Sequence, residues 1–198
     1  RYLKTATLPR ASELGKSRGC TSGIGFAKEK GATIMTYQLR TSDESVLICP
    51  GAAVTGDVVL GKGVSVWYNA VIRGDDGTIT VGEDTNIQDC AVLHETTTVG
   101  RGCTIGHGAI VHGCTVGNNT LIGMGATVLN GARIGSNCIV GAGALVTGKM
   151  DAPDGSMILG SPAKVVRPLT AEEIESNREA AQWYVRAMET YLQEHSGN

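Results

Sequence analysis

Large aromatic side chains, long apolar runs and an excess of one charge are all scarce in this sequence. Aromatic residues make up 4% of the 198 residues, and 17 Lys and Arg stand against 19 Asp and Glu, a net charge of −2. So few large side chains favour a repeat architecture, which buries small uniform layers, over a conventional layered core. The balanced charge predicts no nucleic-acid partner. No apolar run approaches the roughly 18 residues of a membrane-spanning helix, so no transmembrane segment is predicted.

Paired cysteine motifs are absent as well. The six cysteines are Cys20, Cys49, Cys90, Cys103, Cys114 and Cys138. None of them forms a C-x-x-C pair, which argues against a cysteine zinc knuckle and against a thioredoxin-like motif. We therefore expect the cysteines to be reduced and mostly packed inside the protein.

Glycine is abundant instead, with 28 residues, and aliphatic residues recur at every sixth position. The three series are Val54, Leu60, Val66 and Ile72; Val81, Ile87, Leu93, Val99, Ile105 and Val111; and Val116, Ile122, Val128, Ile134, Val140 and Val146. A period of six fits neither a helix nor an alternating strand. It fits a short strand followed by a corner, where glycine lets the backbone turn and one inward aliphatic fills each side. Three sides make a coil of about 18 residues, and stacked coils give an all-β solenoid of hexapeptide repeats.

The predicted solenoid covers residues 46–168, and residues 1–45 form an N-terminal extension. Residues 1–34 carry seven Lys and Arg against only Glu13 and Glu29. A basic, acid-poor leader of this kind is typical of what remains of an organelle presequence. The alternative is an extension that precedes a start at Met35.

Residues 169–198 are predicted to form a C-terminal α-helix. Thr170 and Glu173 have the spacing of a capping box, which marks a helix start. The apolar residues that then recur at helical spacing are Ile174, Ala181, Tyr184, Val185, Met188, Tyr191 and Leu192. This stripe should pack against the solenoid or against a neighbouring subunit. Within the solenoid, residues 73–80 interrupt the six-residue count, and we expect a loop between coils there.

Three of the four histidines lie within 19 residues of one another. His94 and His112 are one coil apart and each follows an inward aliphatic, so they occupy the same side of adjacent coils and can converge on one metal ion. His107 lies on another side of the coil, and a neighbouring copy must supply it to that ion. Closed assembly around a threefold axis repeats such a site at each interface. Three histidines with an open position are typical of a hydrolytic zinc site, so the spacing predicts a metal-binding trimer.

Several motifs around these histidines resemble those of γ-class carbonic anhydrases, which are left-handed parallel β-helix proteins. The motifs are RGD at 73–75, TNIQD at 85–89, IGH at 105–107, HGC at 112–114 and IGMGA at 122–126. The resemblance covers about residues 45–170 and implies a left-handed coil. It also implies reversible hydration of CO₂ to bicarbonate by hydroxide bound to Zn²⁺, with Fe²⁺ or Co²⁺ as alternative metals.

The resemblance also assigns roles to single residues. His94, His107 and His112 match the metal ligands, shared between subunits. Arg73 and Asp75 match a charged pair at the trimer interface, and such a pair contributes most when it is desolvated.

Three further residues are candidates for the catalytic machinery. Gln88 matches a residue that orients the metal-bound solvent, and Asp89 matches its neighbouring support. Some active members of the family carry an acidic loop after the first histidine, whereas residues 95–98 hold one acid, Glu95. Because CO₂ hydration needs a route for its proton, we expect Asp76, or Glu95, to serve as the shuttle.

Two other functions stay open. The solenoid and residues 160–164 are also typical of hexapeptide acyltransferases that use coenzyme A, and fold alone does not decide between the two. The other function is that of a weakly active or structural subunit, because similar chains are peripheral subunits of mitochondrial respiratory complex I, where a trimer of γ-type subunits lies on the matrix side of the membrane arm. For this chain, a homotrimer and a heterotrimer with related γ-type chains both stay open. The basic leader is compatible with the mitochondrial matrix side; the alternative location is the bacterial cytoplasm.

Overall fold

The computed structural model describes residues 38–41 and 45–195, which form a parallel β-solenoid followed by one α-helix. The strands are β1 (Gln38–Thr41), β2 (Leu47–Ile48), β3 (Ala53–Leu60), β4 (Ser65–Val66), β5 (Val71–Val81), β6 (Asn86–Ile87), β7 (Val92–His94), β8 (Thr97–Val99), β9 (Thr104–Ile105), β10 (Ile110–His112), β11 (Thr115–Val116), β12 (Leu121–Ile122), β13 (Thr127–Val128), β14 (Arg133–Ile134), β15 (Ile139–Val140), β16 (Leu145–Val146), β17 (Asp151–Ala152), β18 (Ser156–Gly160) and β19 (Ala163–Pro168), and the helix is α1 (Ala171–His195). The predicted solenoid of hexapeptide repeats with a C-terminal helix is confirmed.

The strands lie on three sides of the solenoid. Side 1 holds β7, β10, β13 and β16, and side 2 holds β8, β11, β14 and β17. Side 3 holds β2, β4, β6, β9, β12, β15 and β18, with β19 antiparallel at its end. The long strands β3 and β5 pass through the corner between sides 1 and 2 and contribute to both. β1 pairs with the second half of β3, so residues of the predicted N-terminal extension extend the sheet; the basic segment 1–34 lies outside the described residues.

One inward aliphatic per side fills the interior, as the six-residue period predicts. On side 1 Ile72, Leu93 and Val111 stack in register on successive coils and have no exposed surface. Fifteen of the sixteen aliphatics in the predicted series are buried, and Val54 packs partly buried against them. Because each coil presents the same small layer to the next, apolar burial stabilises the stack without large aromatic side chains.

The five cysteines of the described ranges largely follow the prediction, and Cys20 lies outside those ranges. Cys49, Cys103, Cys114 and Cys138 are buried and free, and Cys90 is free but exposed. Burial raises the pKa of the Cys103 thiol to about 11 and that of Cys114 to about 12. These two thiols are therefore protonated packing groups at neutral pH.

The predicted loop at residues 73–80 is wrong. Strand β5 runs without a break through this segment and pairs with β3 on both flanks. Gly74 stands opposite Gly56 and Ile79 opposite Val58, so residues 75–78 face Asp57 alone. The extra residues form a bulge in a continuous strand, because pairing with β3 resumes directly after them.

Helix α1 packs along side 3. The capping box is present, since the backbone N–H of Glu173 donates to Thr170 Oγ1 at 3.2 Å and the Thr170 N–H donates to Glu173 Oε2 at 2.9 Å. Met188 packs on Leu47 and Cys49 under the helix. The rings of Trp67 and Tyr184 lie 5.5 Å apart, and the buried Asn177 donates to the Cys138 carbonyl at 3.0 Å. The apolar stripe therefore packs against the solenoid, as predicted. Within residues 38–41 and 45–195, no helix is both long and apolar enough to cross a membrane.

Candidate metal centre

His94 and His112 come together on side 1, where they are the last residues of β7 and β10. The strand register pairs them directly, and His94 Nδ1 lies 3.1 Å from His112 Nε2. The pairing follows from the sequence, because both residues come one position after an inward aliphatic and so leave the coil in the same direction. The predicted pair of ligands is thus adjacent within one chain.

The two nitrogens that face each other, His94 Nδ1 and His112 Nε2, are the inner nitrogens of the pair. The outer nitrogen of each ring, His94 Nε2 and His112 Nδ1, lies within hydrogen-bond distance of an oxygen. His94 Nε2 lies 3.1 Å from Asp75 Oδ1, and His112 Nδ1 lies 2.7 Å from Asn130 Oδ1. A carboxylate and an amide oxygen accept hydrogen bonds, so both outer nitrogens are placed to donate to them. The two inner nitrogens face each other at 3.1 Å, and when both outer nitrogens donate, both inner nitrogens offer a lone pair that a cation can bind.

Asp75 is the acceptor for His94 and is itself held by Arg73. Arg73 Nη1 donates to Asp75 Oδ2 at 2.6 Å, and the Asp75 side chain is only 9% exposed. Burial alone would raise the pKa of Asp75, but hydrogen bonds from Arg73, from its own backbone and from His94 outweigh it and lower the pKa. The carboxylate is therefore ionised at neutral pH. The pair predicted at a subunit interface thus also orients a predicted ligand within its own chain.

His107 lies on side 3, directly after β9 and Gly106, apart from the other two histidines. Its Nδ1 lies 2.8 Å from Asp89 Oδ2, and its backbone N–H donates to Gln88 Oε1 at 3.1 Å. The buried Gln88 side chain in turn donates from Nε2 to Asn86 Oδ1 at 3.2 Å. With Nδ1 of the half-exposed His107 ring against Asp89, Nε2 is the ring nitrogen that is left to bind a metal ion. Gln88 and Asp89, predicted as site residues, both contact His107.

The spacing of the His94 and His112 nitrogens fits a zinc ion. Across the described ranges of a single chain, no three His, Cys, Asp or Glu side chains meet in a group that could hold a metal ion. Two nitrogens that each lie roughly 2.0–2.1 Å from a tetrahedral zinc ion are about 3.3 Å apart, close to the separation of the His94 and His112 nitrogens. All three histidines offer one lone pair and have the other nitrogen oriented by an oxygen, as in zinc sites of proteins.

An apolar cleft of about 510 Å³ opens next to His107, between side 3 and α1. Gln88, His107, Met124 and Trp183 are among the residues that line it, and Met124 and Trp183 have 60% and 56% of their surface exposed. Exposed apolar side chains beside a metal ligand mark a surface that another protein chain can cover.

The two candidate proton carriers have different surroundings. Asp76 is exposed, one residue after Asp75. Glu95 has a positive φ of 57° and accepts a hydrogen bond from Asn130 Nδ2 at 2.6 Å. Sequence reasoning did not identify Asn130, although it lies 18 residues after His112, the same spacing that separates His94 from His112. That spacing was the available signal.

Known proteins resemble the chain in sequence and in structure. The family description "Bacterial transferase hexapeptide (six repeats)" matches residues 113–148. A protein of Methanocaldococcus jannaschii named "Probable carbonic anhydrase" is 52% identical over 151 residues, which cover 74% of this chain and 95% of that protein. Gamma carbonic anhydrase 2, mitochondrial, of Arabidopsis thaliana is 40% identical over 164 residues, 78% of this chain and 59% of the plant protein.

Among solved structures, a hexapeptide transferase family protein of Anaplasma phagocytophilum superposes with a TM-score of 0.76 at 40% identity. The match covers 78% of this chain and 93% of that protein. The transferase-named structure and the relatives named carbonic anhydrase all match across most of the solenoid, including the strands that carry the three histidines. On these likenesses the chain belongs to the γ-class carbonic anhydrase family of hexapeptide-repeat proteins.

Proposed function

We propose that this protein catalyses the reversible hydration of CO₂ to bicarbonate at metal centres shared between neighbouring copies of a trimer. His94 and His112 of one copy and His107 of the next are the proposed ligands. The observation that carries the proposal is the pair of inner ring nitrogens 3.1 Å apart, whose outer nitrogens are both engaged by oxygen acceptors. Membership of the carbonic anhydrase family supports the choice of reaction.

Zinc is the proposed metal, with Fe²⁺ or Co²⁺ as alternatives, and a bound ion supplies a Lewis acid that makes water acidic near neutral pH. Asp75 and Asp89 hold the imidazoles of His94 and His107 with the ligand nitrogens free. Gln88 is buried and its amide is fixed by Asn86 and by the His107 backbone. A fixed amide beside the reacting oxygen can orient that oxygen toward CO₂ without reorganising during the reaction.

Asp76 is the proposed proton carrier. It is exposed, so it can exchange a proton with buffer, and it lies in the bulge next to Asp75. Glu95 is the weaker candidate because Asn130 holds its carboxylate at 2.6 Å. Exchange with buffer requires a side chain that moves freely, which favours Asp76.

The proposed trimer rests on the separation of the ligands on two sides of the solenoid. A neighbouring copy, identical or a related γ-type chain, would place its side 1 against side 3 of this chain. Met124 and Trp183, exposed beside His107, supply apolar surface for that contact. A mitochondrial location is proposed from the mitochondrial plant relatives, and a place on respiratory complex I from the resemblance to peripheral subunits of that complex.

Acyl transfer from coenzyme A is the second candidate, supported by the transferase name of the Anaplasma phagocytophilum protein and by the apolar cleft beside His107. Such an enzyme needs one histidine as a general base and no metal. Saturable acetyl-CoA binding by a protein that binds no zinc would favour this candidate.

Zinc analysis and stopped-flow CO₂ hydration of one preparation test the proposal. The unaltered protein should hold close to one zinc ion per chain and lose hydration when a chelator removes it. His107→Ala should lose zinc and hydration together, whereas the control His195→Ala, at the exposed end of α1, should keep both. A fully zinc-loaded protein without hydration activity would contradict the proposed reaction.

A further inference from the structure

We propose that Asn130, oriented by Glu95, is a positioning residue that presents the His112 Nε2 lone pair to the metal ion. The inference rests on the proposed metal centre and assigns a role to two side chains that do not contact the ion. It starts from a chain of two short hydrogen bonds that leads away from the ligand: His112 Nδ1 to Asn130 Oδ1 at 2.7 Å, and Asn130 Nδ2 to Glu95 Oε2 at 2.6 Å.

Asn130 alone does not determine which nitrogen of His112 carries the proton. An asparagine amide offers an oxygen on one side and an NH₂ group on the other, and it can turn either one toward the histidine. With its NH₂ group toward His112, the amide would stabilise the tautomer that has its proton on Nε2. That tautomer has no lone pair at Nε2 and cannot bind a metal ion there.

Glu95 removes this ambiguity. An ionised carboxylate only accepts hydrogen bonds, so it holds the NH₂ group of Asn130 on its own side and leaves the amide oxygen for His112. The oxygen accepts the Nδ1 proton, and the lone pair of His112 then lies on Nε2, facing His94 Nδ1. The negative charge of Glu95 also polarises the amide, which strengthens the acceptor at the far end of the chain of hydrogen bonds.

The backbone is arranged to bring Glu95 to Asn130. Glu95 adopts a positive φ of 57°, a conformation that few residues other than glycine adopt. The turn is held on its far side by Thr97, whose Oγ1 donates to the His94 carbonyl at 2.8 Å and accepts from the Gly113 N–H at 3.0 Å.

Gly113 provides the space that Asn130 occupies. A Cβ at this position would lie 2.5 Å from Asn130 Nδ2 and 2.8 Å from its Cγ. The residue after the metal ligand therefore leaves room for the side chain that orients the ligand, which adds a steric reason for glycine beside its φ of +60°.

His94 has a simpler partner. Its outer nitrogen faces the carboxylate of Asp75, which accepts on either oxygen and needs no further orientation. His112 faces a neutral amide and so depends on a second residue. The two ligands of one chain are thus oriented in different ways. Only at His112 can a substitution of a residue that does not contact the histidine, Glu95, change which nitrogen carries the proton.

Zinc affinity and the His112 tautomer test the proposal in the full-length protein. Affinity is measured by competition with a chromophoric chelator, and the tautomer by ¹H–¹⁵N NMR of the metal-free protein labelled at histidine. Asn130→Ala should weaken zinc binding about 10- to 100-fold and give a mixture of His112 tautomers. The control Asn118→Ala removes an exposed asparagine that accepts from the Arg101 backbone on another corner, and should change neither readout.

A double substitution separates orientation from simple loss of a side chain. Asn130→Asp places a second carboxylate beside Glu95 and should weaken binding. Glu95→Gln added to it removes the repulsion and supplies an amide donor to the new carboxylate, so zinc affinity should recover, with His112 protonated on Nδ1 in both variants because a carboxylate only accepts. Denaturation of each metal-free variant shows that it is folded.

The outcomes are distinguishable. If the unaltered protein binds zinc tightly and Asn130→Ala changes neither the zinc affinity nor the His112 tautomer, the positioning role is overturned and the proposed metal centre is not. No recovery in the double variant would also overturn it. Failure of the unaltered protein to bind zinc would overturn the proposed metal centre and this inference with it.

Discussion

Two glycines of one coil should lose different amounts of stability on substitution, because the structure requires them for different reasons. At Gly117 a Cβ would lie 2.5 Å from the backbone nitrogen of Ser136 and 2.6 Å from the carbonyl carbon of Gly135. Both atoms belong to the next coil, which is fixed by strand pairing and cannot withdraw. Overpacking of this kind costs typically 1–3 kcal/mol and occasionally more, so Gly117→Ala should lower the free energy of unfolding by about 3 kcal/mol.

Gly102 is required only for its backbone angle. Its φ is +61° and a Cβ there would meet nothing within 4 Å. The corresponding corners of other coils carry Asp84, Asn119 and Asn137 at φ of 56°, 50° and 55°. Gly102→Ala should cost about 1 kcal/mol for the left-handed conformation. Gly102→Asn should stay within about 0.5 kcal/mol of the unaltered protein, since asparagine tolerates this region.

Urea unfolding at one fixed protein concentration measures these differences, because an oligomer's stability depends on its concentration. The expected order of stability is Gly102→Asn, then Gly102→Ala, then Gly117→Ala. Equal losses of unfolding free energy in the two alanine variants would refute this reasoning. It holds that contact with the next coil, and not the backbone angle, requires glycine at positions such as Gly117, directly after an inward aliphatic.

Two further predictions concern charged groups. Asp75→Asn leaves one acceptor oxygen where the carboxylate had two, so the side chain can no longer accept from both Arg73 and His94. Zinc affinity, measured by chelator competition, should therefore fall about 10- to 100-fold. Unchanged affinity would exclude a role of the carboxylate in holding His94. The ion pair with Arg167 and the Thr170 backbone N–H lower the pKa of Glu173 from 4.5 to about 2, so its contribution to stability is complete above pH 4.5 and is lost as the pH falls toward 2. Glu173→Gln should therefore reduce the acid sensitivity of helix docking between these pH values, measured by Trp67 fluorescence in a Trp183→Phe background, and an unaltered acid profile would contradict it.

The fold was predictable because its core repeats. One aliphatic per side at every sixth position has a single simple solution, a stack of three-sided coils, and the buried series confirms it. The segment at residues 73–80 was not predictable in the same way. Counting residues detects an insertion, but whether the inserted residues leave the sheet or bulge within a strand depends on pairing with β3, which the count does not contain.

The candidate site was predictable where it depends on coil spacing and not where it depends on side-chain orientation. The adjacency of His94 and His112 follows from a separation of one coil. The contact of Asp75 with His94 does not, because the bulge that carries Asp75 changes its direction. Asn130 escaped notice because an amide is not a metal ligand, and its role follows only from the positions of the two side chains it joins.

Complementation between two defective variants tests the shared metal centre most directly. His107→Ala and the double variant His94→Ala, His112→Ala each lack part of the proposed site, so neither alone should bind zinc. A mixed threefold ring contains about one interface that joins the intact histidine pair of one variant to the intact His107 of the other. Random co-assembly of equal amounts should therefore recover about one zinc ion per four chains, together with CO₂ hydration. Mixed trimers that bind no zinc, or zinc retained by His107→Ala alone, would contradict a site divided between neighbouring copies.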